Sequence, residues 1–274
     1  MSARHRNGQV REQSPVSKNK EDNASLSAVR DEIDRLDEQI QDLINERAKL
    51  AFRVRQSKGG ARDAVNFYRP EREAQVLRKL RERNKGPLSD SEMLRLFREI
   101  MSACLAQQEP LKIAYLGPEG TFTQQAVHRH FGHSVHANSL PTIDEAFEQV
   151  QSGDADFGVV PVENSTQGIV SHTLDMFLFS DLKICGEIEL RVRQNLLTQA
   201  KSLKQIERVY SHEQSLSQCK NWLRTHLPGV EMVAVSSNGE AARRVRNMPE
   251  AAAIGGRSAA EVYGLPVLFA DIED

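Results

Sequence analysis

The chain has 274 residues, enough for one or two domains with a real core, and a formal net charge of -2 that gives nucleic acid or an anionic membrane no claim as main partner. Its three cysteines, Cys104, Cys185 and Cys219, are odd in number and show no CxxC spacing, so they read as reduced thiols of a cytoplasmic protein, not as a disulfide or zinc framework. No stretch is long and apolar enough to cross a bilayer, and residues 1–22 are polar without the apolar core of a secretory signal, so they are expected to form a disordered arm.

From Ser25 to Lys58 the pattern predicts one long helix. Val29, Ile33, Leu36, Ile40, Leu43, Leu50 and Val54 step by four and three with one gap, the a/d seam of a coiled coil. Arg47 fills the gap, and a positive charge at a seam position is costly to bury unless an anion or a carboxylate meets it. Lys58 lies 11 residues further on, about 16 Å along the same face. Arg30 lies 17 residues before Arg47, roughly 25 Å away on a straight helix, so the two cannot share a pocket within one chain. Two such helices paired antiparallel would bring Arg30 of one copy to Arg47 of the other and build two identical cationic pockets. The competing reading is a dimeric coiled coil without chemistry.

Gly59 and Gly60 stop this helix, and residues 61–68 form a loop. A second helix starts in Tyr68-Arg69-Pro70-Glu71-Arg72-Glu73, with Pro70 at its first position and two glutamates at the positive end of its dipole. It runs to about Arg83, with Val76, Leu77 and Leu80 as its apolar face, and Asn84-Lys85-Gly86-Pro87 ends it. Ser89 or Asp90 can cap a third helix over 91–108, with Met93, Leu94, Phe97, Ile100, Met101, Cys104 and Leu105 inward. The first of these helices is too long for the other two to cover, which predicts a homodimer built along it.

Arg30, the Glu46-Arg47 pair, Lys58, the run from Tyr68 to Glu73 and the end of the third helix together resemble the all-helical chorismate mutase domain of the bifunctional chorismate mutase–prephenate dehydratases. The resemblance implies that Arg30 from the partner chain, Arg47 and Arg72 bind the two carboxylates of chorismate. It implies further that Lys58 and Gln108 hydrogen-bond the ether oxygen, that Glu73 takes the ring hydroxyl, and that Arg69 and Cys104 line the pocket. The family commonly has a carboxylate or amide where Gln108 stands, and serine in some members where Cys104 stands. Chorismate to prephenate is a pericyclic rearrangement, so it asks for no nucleophile, metal or cofactor. The site must hold a dianion in its folded conformer and set cations where negative charge grows on the breaking C–O bond. Arginine suits the anchoring positions because its fork binds a carboxylate bidentately and keeps its charge.

From residue 111 the texture becomes α/β. Lys112–Leu116 reads as a strand, Gly117-Pro118-Glu119-Gly120-Thr121-Phe122 as a tight turn, and Thr123 to about Phe131 as a helix. A helix from Ile143 to Gly153 leads to a strand from Phe157 to Val162, which ends in the polar cluster Glu163-Asn164-Ser165-Thr166-Gln167-Gly168. Open α/β sheets bind ligands at such carboxyl ends. A helix over Val170–Leu178, a strand over Lys183–Leu190 and a segment from Arg193 to Thr198 follow. Next come a strand at Arg208–Tyr210, a helix over Leu216–Thr225, a strand at 231–235, a helix from Gly239 to Arg246 and a short strand at Ala252–Ile254. Two α/β lobes with a cleft between them are expected.

The motifs GPEGTF from 117, VVPVENST from 159, HTLDMFL from 172, YSHEQSLSQC from 210, and AAIGG followed by VYGL resemble the dehydratase domain of the same bifunctional enzymes. The implied organisation is an arm over 1–22, a mutase domain over 23–110 and a two-lobed, periplasmic-binding-like dehydratase domain over 111–274. The implied reaction turns prephenate into phenylpyruvate with loss of CO2 and water, which needs a general acid for the departing hydroxyl and a desolvated carboxylate. Thr121, Glu163, Asn164, Ser165, Thr166, Ser211 and Gln218 match positions that line the family's cleft.

The sequence departs from the family at Arg193-Gln194-Asn195-Leu196-Leu197, where a histidine usually precedes the paired leucines. The family also continues beyond the position of Asp271-Ile272-Glu273-Asp274 into an Asn-x-Thr-Arg-Phe motif, whose threonine is the residue most tied to dehydration, and then into an ACT regulatory domain. Neither is among these 274 residues. The mutase half is therefore expected to be complete and the dehydratase half inactive as given. The alternative is a mutase joined to a lobe that binds prephenate or an aromatic acid without turnover. His212 and Cys219 read as a cleft residue and a buried thiol rather than a catalytic pair. His128, His130, His133 and His136 lack the accompanying pattern of a metal site. The acidic residues 271–274 read as a solvated linker.

Overall fold

A computed structural model describes the backbone of residues 15–57, 68–107, 109–164 and 168–274, and the side chains of all of these except 15–25 and 55–57. Lys58, Gln108, Ser165 and Thr166 lie outside the described residues. The chain divides into two units, residues 1–53 and 54–274.

The greater part of α1 (Pro15–Ser57) makes up the first unit. The helix starts at Pro15, well before Ser25, and takes residues 15–22 out of the expected arm. Proline suits a first helical position, and neither glycine nor proline interrupts the chain again before Gly59, so an established helix has nothing to stop it. Val29, Ile33, Leu36 and Ile40 each keep about half of their surface exposed, and Leu43 keeps 64%.

The second unit begins with α2 (Pro70–Arg83) and α3 (Asp90–Ala106). Ser89 caps α3 by accepting from the Glu92 N–H, and Asn84 Nδ2 ties the end of α2 to the start of α3 by donating to Leu88 O and Asp90 Oδ1. This helical pair packs on the α/β body. The Tyr68 ring meets Phe131 and Phe157, the Glu99 carboxylate accepts from the His133 N–H, and Ser102 sits under Gly132 where a Cβ would collide. Residues 68–107 therefore belong to the same compact unit as the α/β body.

The first lobe runs β1 (Lys112–Leu116), α4 (Phe122–Phe131), β2 (His136–Leu140), α5 (Ile143–Gln151) and β3 (Phe157–Val159). Its parallel sheet has the order β2-β1-β3, with Ile113 and Tyr115 fully buried in the middle strand. The edge strand β2, absent from the predicted elements, reads His-Ala-Asn-Ser-Leu and carries no alternation; pairing with β1 makes it a strand. The predicted strand over 157–162 stops at Val159, and Glu163 and Asn164 enter a short antiparallel hairpin of β4 (Glu163–Asn164) and β5 (Gly168–Ile169). After α6 (Ser171–Phe179), residues 180–194 have no regular structure, so the predicted strand over Lys183–Leu190 is not formed. Ile184 is 71% exposed there, and the residues offer backbone groups that no neighbouring strand pairs with.

The second lobe contains β6 (Asn195–Thr198), β7 (Arg208–His212), α7 (Glu213–Gln218), α8 (Lys220–His226), β8 (Glu231–Val235), α9 (Asn238–Val245), β9 (Ala251–Gly255), α10 (Arg257–Tyr263) and β10 (Val267–Phe269). The sheet order is β10-β6-β9-β7-β8, with β7 parallel to β8 and β9, and β6 antiparallel to β9 and β10. Alternation sorts its core: Leu196, Ala252 and Ile254 pack with Leu223 and Leu227, while Leu197, Ala251 and Ala253 pack with Val245 and Leu265. The single predicted helix over Leu216–Thr225 is two helices broken at Cys219, and neither α10 nor β10 was among the predicted elements.

The acidic end is not a solvated linker. Ile272 is buried in the core and its N–H donates to Gln194 O, while the Asp274 carboxylate accepts from the Asn221 and Trp222 N–H groups at the start of α8. Free first-turn N–H groups attract a carboxylate, which explains why a charged segment folds back.

Candidate functional site

Arg30 and Arg47 belong to α1, Arg30 exposed and Arg47 partly buried. The second unit carries Arg69, Arg72, Glu73 and Cys104. Arg69 caps α2 by backbone alone, its carbonyl accepting from the Arg72 and Glu73 N–H groups at 3.0 Å. The Arg72 guanidinium is exposed and, among the described residues, hydrogen-bonds Gln75 on its own helix, at 3.4 Å. Cys104 is buried. Glu73 is turned inward to an ion pair with Arg98 of α3, Nε to Oε1 at 3.6 Å, with Tyr68 nearby. Burial pushes its carboxyl above the ordinary glutamate range, with Arg98 and Tyr68 pulling the other way.

In the second lobe the chemistry gathers where β7 and β9 end and β6 begins, the carboxyl edge of the parallel strands. Ser211 is fully buried, with its hydroxyl 3.0 Å from Asn238 Oδ1 and 2.9 Å from Ile254 O, both acceptors for its one proton. The same Asn238 oxygen takes the His212 N–H at 3.2 Å and faces Ser215 Oγ at 3.1 Å, and Asn238 Nδ2 donates back to Ser215 at 2.9 Å. Gln194 Nε2 then links Ser215 Oγ, at 3.0 Å, to Gln218 Oε1, at 2.9 Å. Two expected residues, Ser211 and Gln218, thus stand at the ends of one hydrogen-bonded network. Three that the motif reading did not single out, Gln194, Ser215 and Asn238, join them. Next to it Asn195 Nδ2 donates to Gly255 O at 3.0 Å, while its buried Oδ1 has no partner among the described residues.

Gln194 is held in turn by the chain end, because its backbone N–H donates to the Glu273 carboxylate at 2.9 Å. His212 caps α7 through Nδ1, which accepts from the Gln214 N–H. The Cys219 thiol is pushed up to about 12 by burial and by the charges of Asp274 and Glu273, so it is no thiolate at neutral pH.

Thr121 caps α4, accepting from the Gln124 N–H and donating to Pro118 O at 2.9 Å. Its turn touches the second lobe. Tyr263 donates to Glu119 O at 3.2 Å, and a Cβ on Gly239, at the start of α9, would run into that same carbonyl oxygen. Glu163 and Asn164 stand on the β4–β5 hairpin, with Glu163 exposed.

Two family models match consecutive stretches: Chorismate mutase type II over residues 29–109 and Prephenate dehydratase over residues 113–274. The bifunctional chorismate mutase/prephenate dehydratase of Stutzerimonas stutzeri is 56% identical over 254 residues, covering 91% of this chain and 69% of that protein. The protein of the same description from Pseudomonas aeruginosa is 53% identical over 257 residues, covering 92% of this chain and 70% of its own length. Among solved structures, prephenate dehydratase from Arthrobacter aurescens in complex with L-Phe is similar with a TM-score of 0.55 and 33% identity, over 59% of this chain and 55% of that one. The chain therefore spans a little over half the length of that solved relative.

Proposed function

The chain belongs to the bifunctional chorismate mutase/prephenate dehydratase family, and from that premise we propose that its helical part rearranges chorismate to prephenate and its α/β part takes prephenate on toward phenylpyruvate, in phenylalanine biosynthesis. The observation that carries this reading is the pair of family matches lying end to end, 29–109 and 113–274, with a helical segment under the first and a two-lobed α/β body under the second.

Arg47 and Arg72, with Arg30 of a second copy, hold the two carboxylates of chorismate, and Lys58 and Gln108 meet the ether oxygen as negative charge grows there. Glu73 receives the ring hydroxyl, with Arg69 and Cys104 at the pocket wall. The half-exposed seam of α1 supports a homodimer, because an apolar stripe of this length is covered best by another copy of itself. In the α/β part Thr121, Glu163, Asn164, Ser165, Thr166, Ser211 and Gln218 surround prephenate, with Gln194, Ser215 and Asn238 fixing the second lobe's edge. The mutase part on this reading starts near residue 23 and gives way to the dehydratase part near residue 110. Among the described residues no helix is long and apolar enough to span a membrane, and the described cysteines are free thiols, which supports a cytoplasmic location.

The test is chorismate turnover by residues 1–274 at neutral pH with a neutral quench, separating prephenate from phenylpyruvate by chromatography. Arg47→Ala is expected to lower kcat/KM about a hundredfold or more, the size of losing one preorganised charge-stabilising contact. An unchanged rate would end the mutase assignment. Enzyme-dependent phenylpyruvate would assign both steps to these residues. Prephenate bound and returned unchanged would make the α/β part a binding lobe.

A further inference from the structure

Glu73 does not stand alone at the start of α2. Its carboxylate lies 3.6 Å from Arg98 Nε on α3, and that Nε is buried with no hydrogen-bond partner among the described residues. The Tyr68 hydroxyl lies 3.4 Å from His130 Nε2 at the end of α4 in the α/β body, and it is near enough to Glu73 to help hold that carboxyl's pKa down. Proton inventory orders the chain. An ionised carboxylate can only accept, so with its one proton turned toward Glu73 the phenol accepts from an N–H on His130 Nε2. Burial and the nearby Arg98 both disfavour the imidazolium, which fits a neutral ring carrying its proton on Nε2. The Tyr68 ring packs against both Phe131 and Phe157, at centroid distances of 5.6 and 5.3 Å, and is 8% exposed. The carboxylate is thus oriented by a side chain that the α/β body holds rigid.

We propose that Tyr68 and Arg98 are positioning residues for Glu73, and that His130 makes the placement of this mutase carboxylate depend on the α/β lobe. This rests on the reading that Glu73 receives the ring hydroxyl of chorismate. A carboxylate that must accept one hydroxyl at one angle gains from being held before substrate arrives, because its own side-chain torsions would otherwise have to be ordered on binding.

The test is a double-mutant cycle on steady-state chorismate turnover in the 274-residue chain. Tyr68→Phe keeps the packed ring and removes only the hydroxyl, so its unfolding midpoint should stay close to that of the unmodified chain. It should lower kcat/KM about tenfold, mainly through KM, the scale of one hydrogen bond to a charged group. Combined with Glu73→Gln it should cost nothing beyond Glu73→Gln alone, since both remove the same contact. Arg98→Met should behave alike, with partial rescue by Arg98→Lys, and His130→Leu should cost about threefold, again absorbed by Glu73→Gln. Tyr68→Phe at full rate, or losses that multiply in the double variant, would overturn the positioning role. His130→Leu at full rate would overturn the dependence on the lobe. Glu73→Gln at full rate would overturn the reading beneath the proposal, and the proposal with it.

Discussion

Asn238 gathers Ser211, the His212 backbone and Ser215 around one oxygen and returns a hydrogen bond to Ser215, all of it buried. Removing such a group strands its partners without water. Asn238→Ala is expected to destabilise the chain by about 2 kcal/mol, within the range for unsatisfied buried polar groups, seen as a lower midpoint in urea. His130 gives a pH effect whose sign follows from burial. Its folded pKa is held below the ordinary imidazole value, so the unfolded chain binds the proton more readily. Stability is full above about pH 6.5 and declines as the pH falls toward the folded value. His128 is depressed as well, also mainly by burial. The urea midpoint should therefore drop between pH 7.5 and pH 5.5, and His130→Gln, which still offers Tyr68 a partner, should reduce the drop. Ser211 and Gln218 were legible because they sit in a motif. Asn238 was not, because an asparagine at a helix start reads like any other polar residue until the sheet brings Ser211 beside it.

Between elements one very close approach joins the turn before α4 and the start of α9. Gly239→Ala would ordinarily gain helix stability. Here the added methyl meets the Glu119 carbonyl oxygen and lies 3.3 Å from the Pro118 ring, with backbone unable to give way as a flexible side chain would. The expected result is a loss of about 1–3 kcal/mol by overpacking, measured as a lowered thermal midpoint. Helices were the most legible elements: α2, α4 and α9 begin within a residue or two of their predicted starts because Pro70, Thr121 and Ser237 mark them chemically. Strands were less so. The alternation over 183–190 pairs with no strand among the described residues, whereas the unpatterned residues of β2 and the short β10 lie against β1 and β6 and become strands.

For the whole molecule, the seam of α1 predicts assembly. In the proposed homodimer Ile33→Glu with Ile40→Glu puts two charges on the paired seam, and sedimentation equilibrium should then move from the mass of two chains to that of one. Mutase activity should fall with it, because the proposed contribution of Arg30 from the partner is lost. Retention of the dimer in this variant would place its interface elsewhere. The order of a helical segment and an α/β body, the two lobes and the seam of α1 were determined by the sequence alone, since periodicity, capping chemistry and motif spacing are local properties. Tertiary structure decided what depends on residues far apart in the chain: the packing of α2 and α3 on the α/β body through Tyr68 and Glu99, the network around Asn238, and the folding back of Asp271–Asp274 onto Gln194 and α8. Each of these satisfies a buried polar group or covers an aromatic ring with a partner tens of residues away, and a one-dimensional pattern does not encode which partner that is.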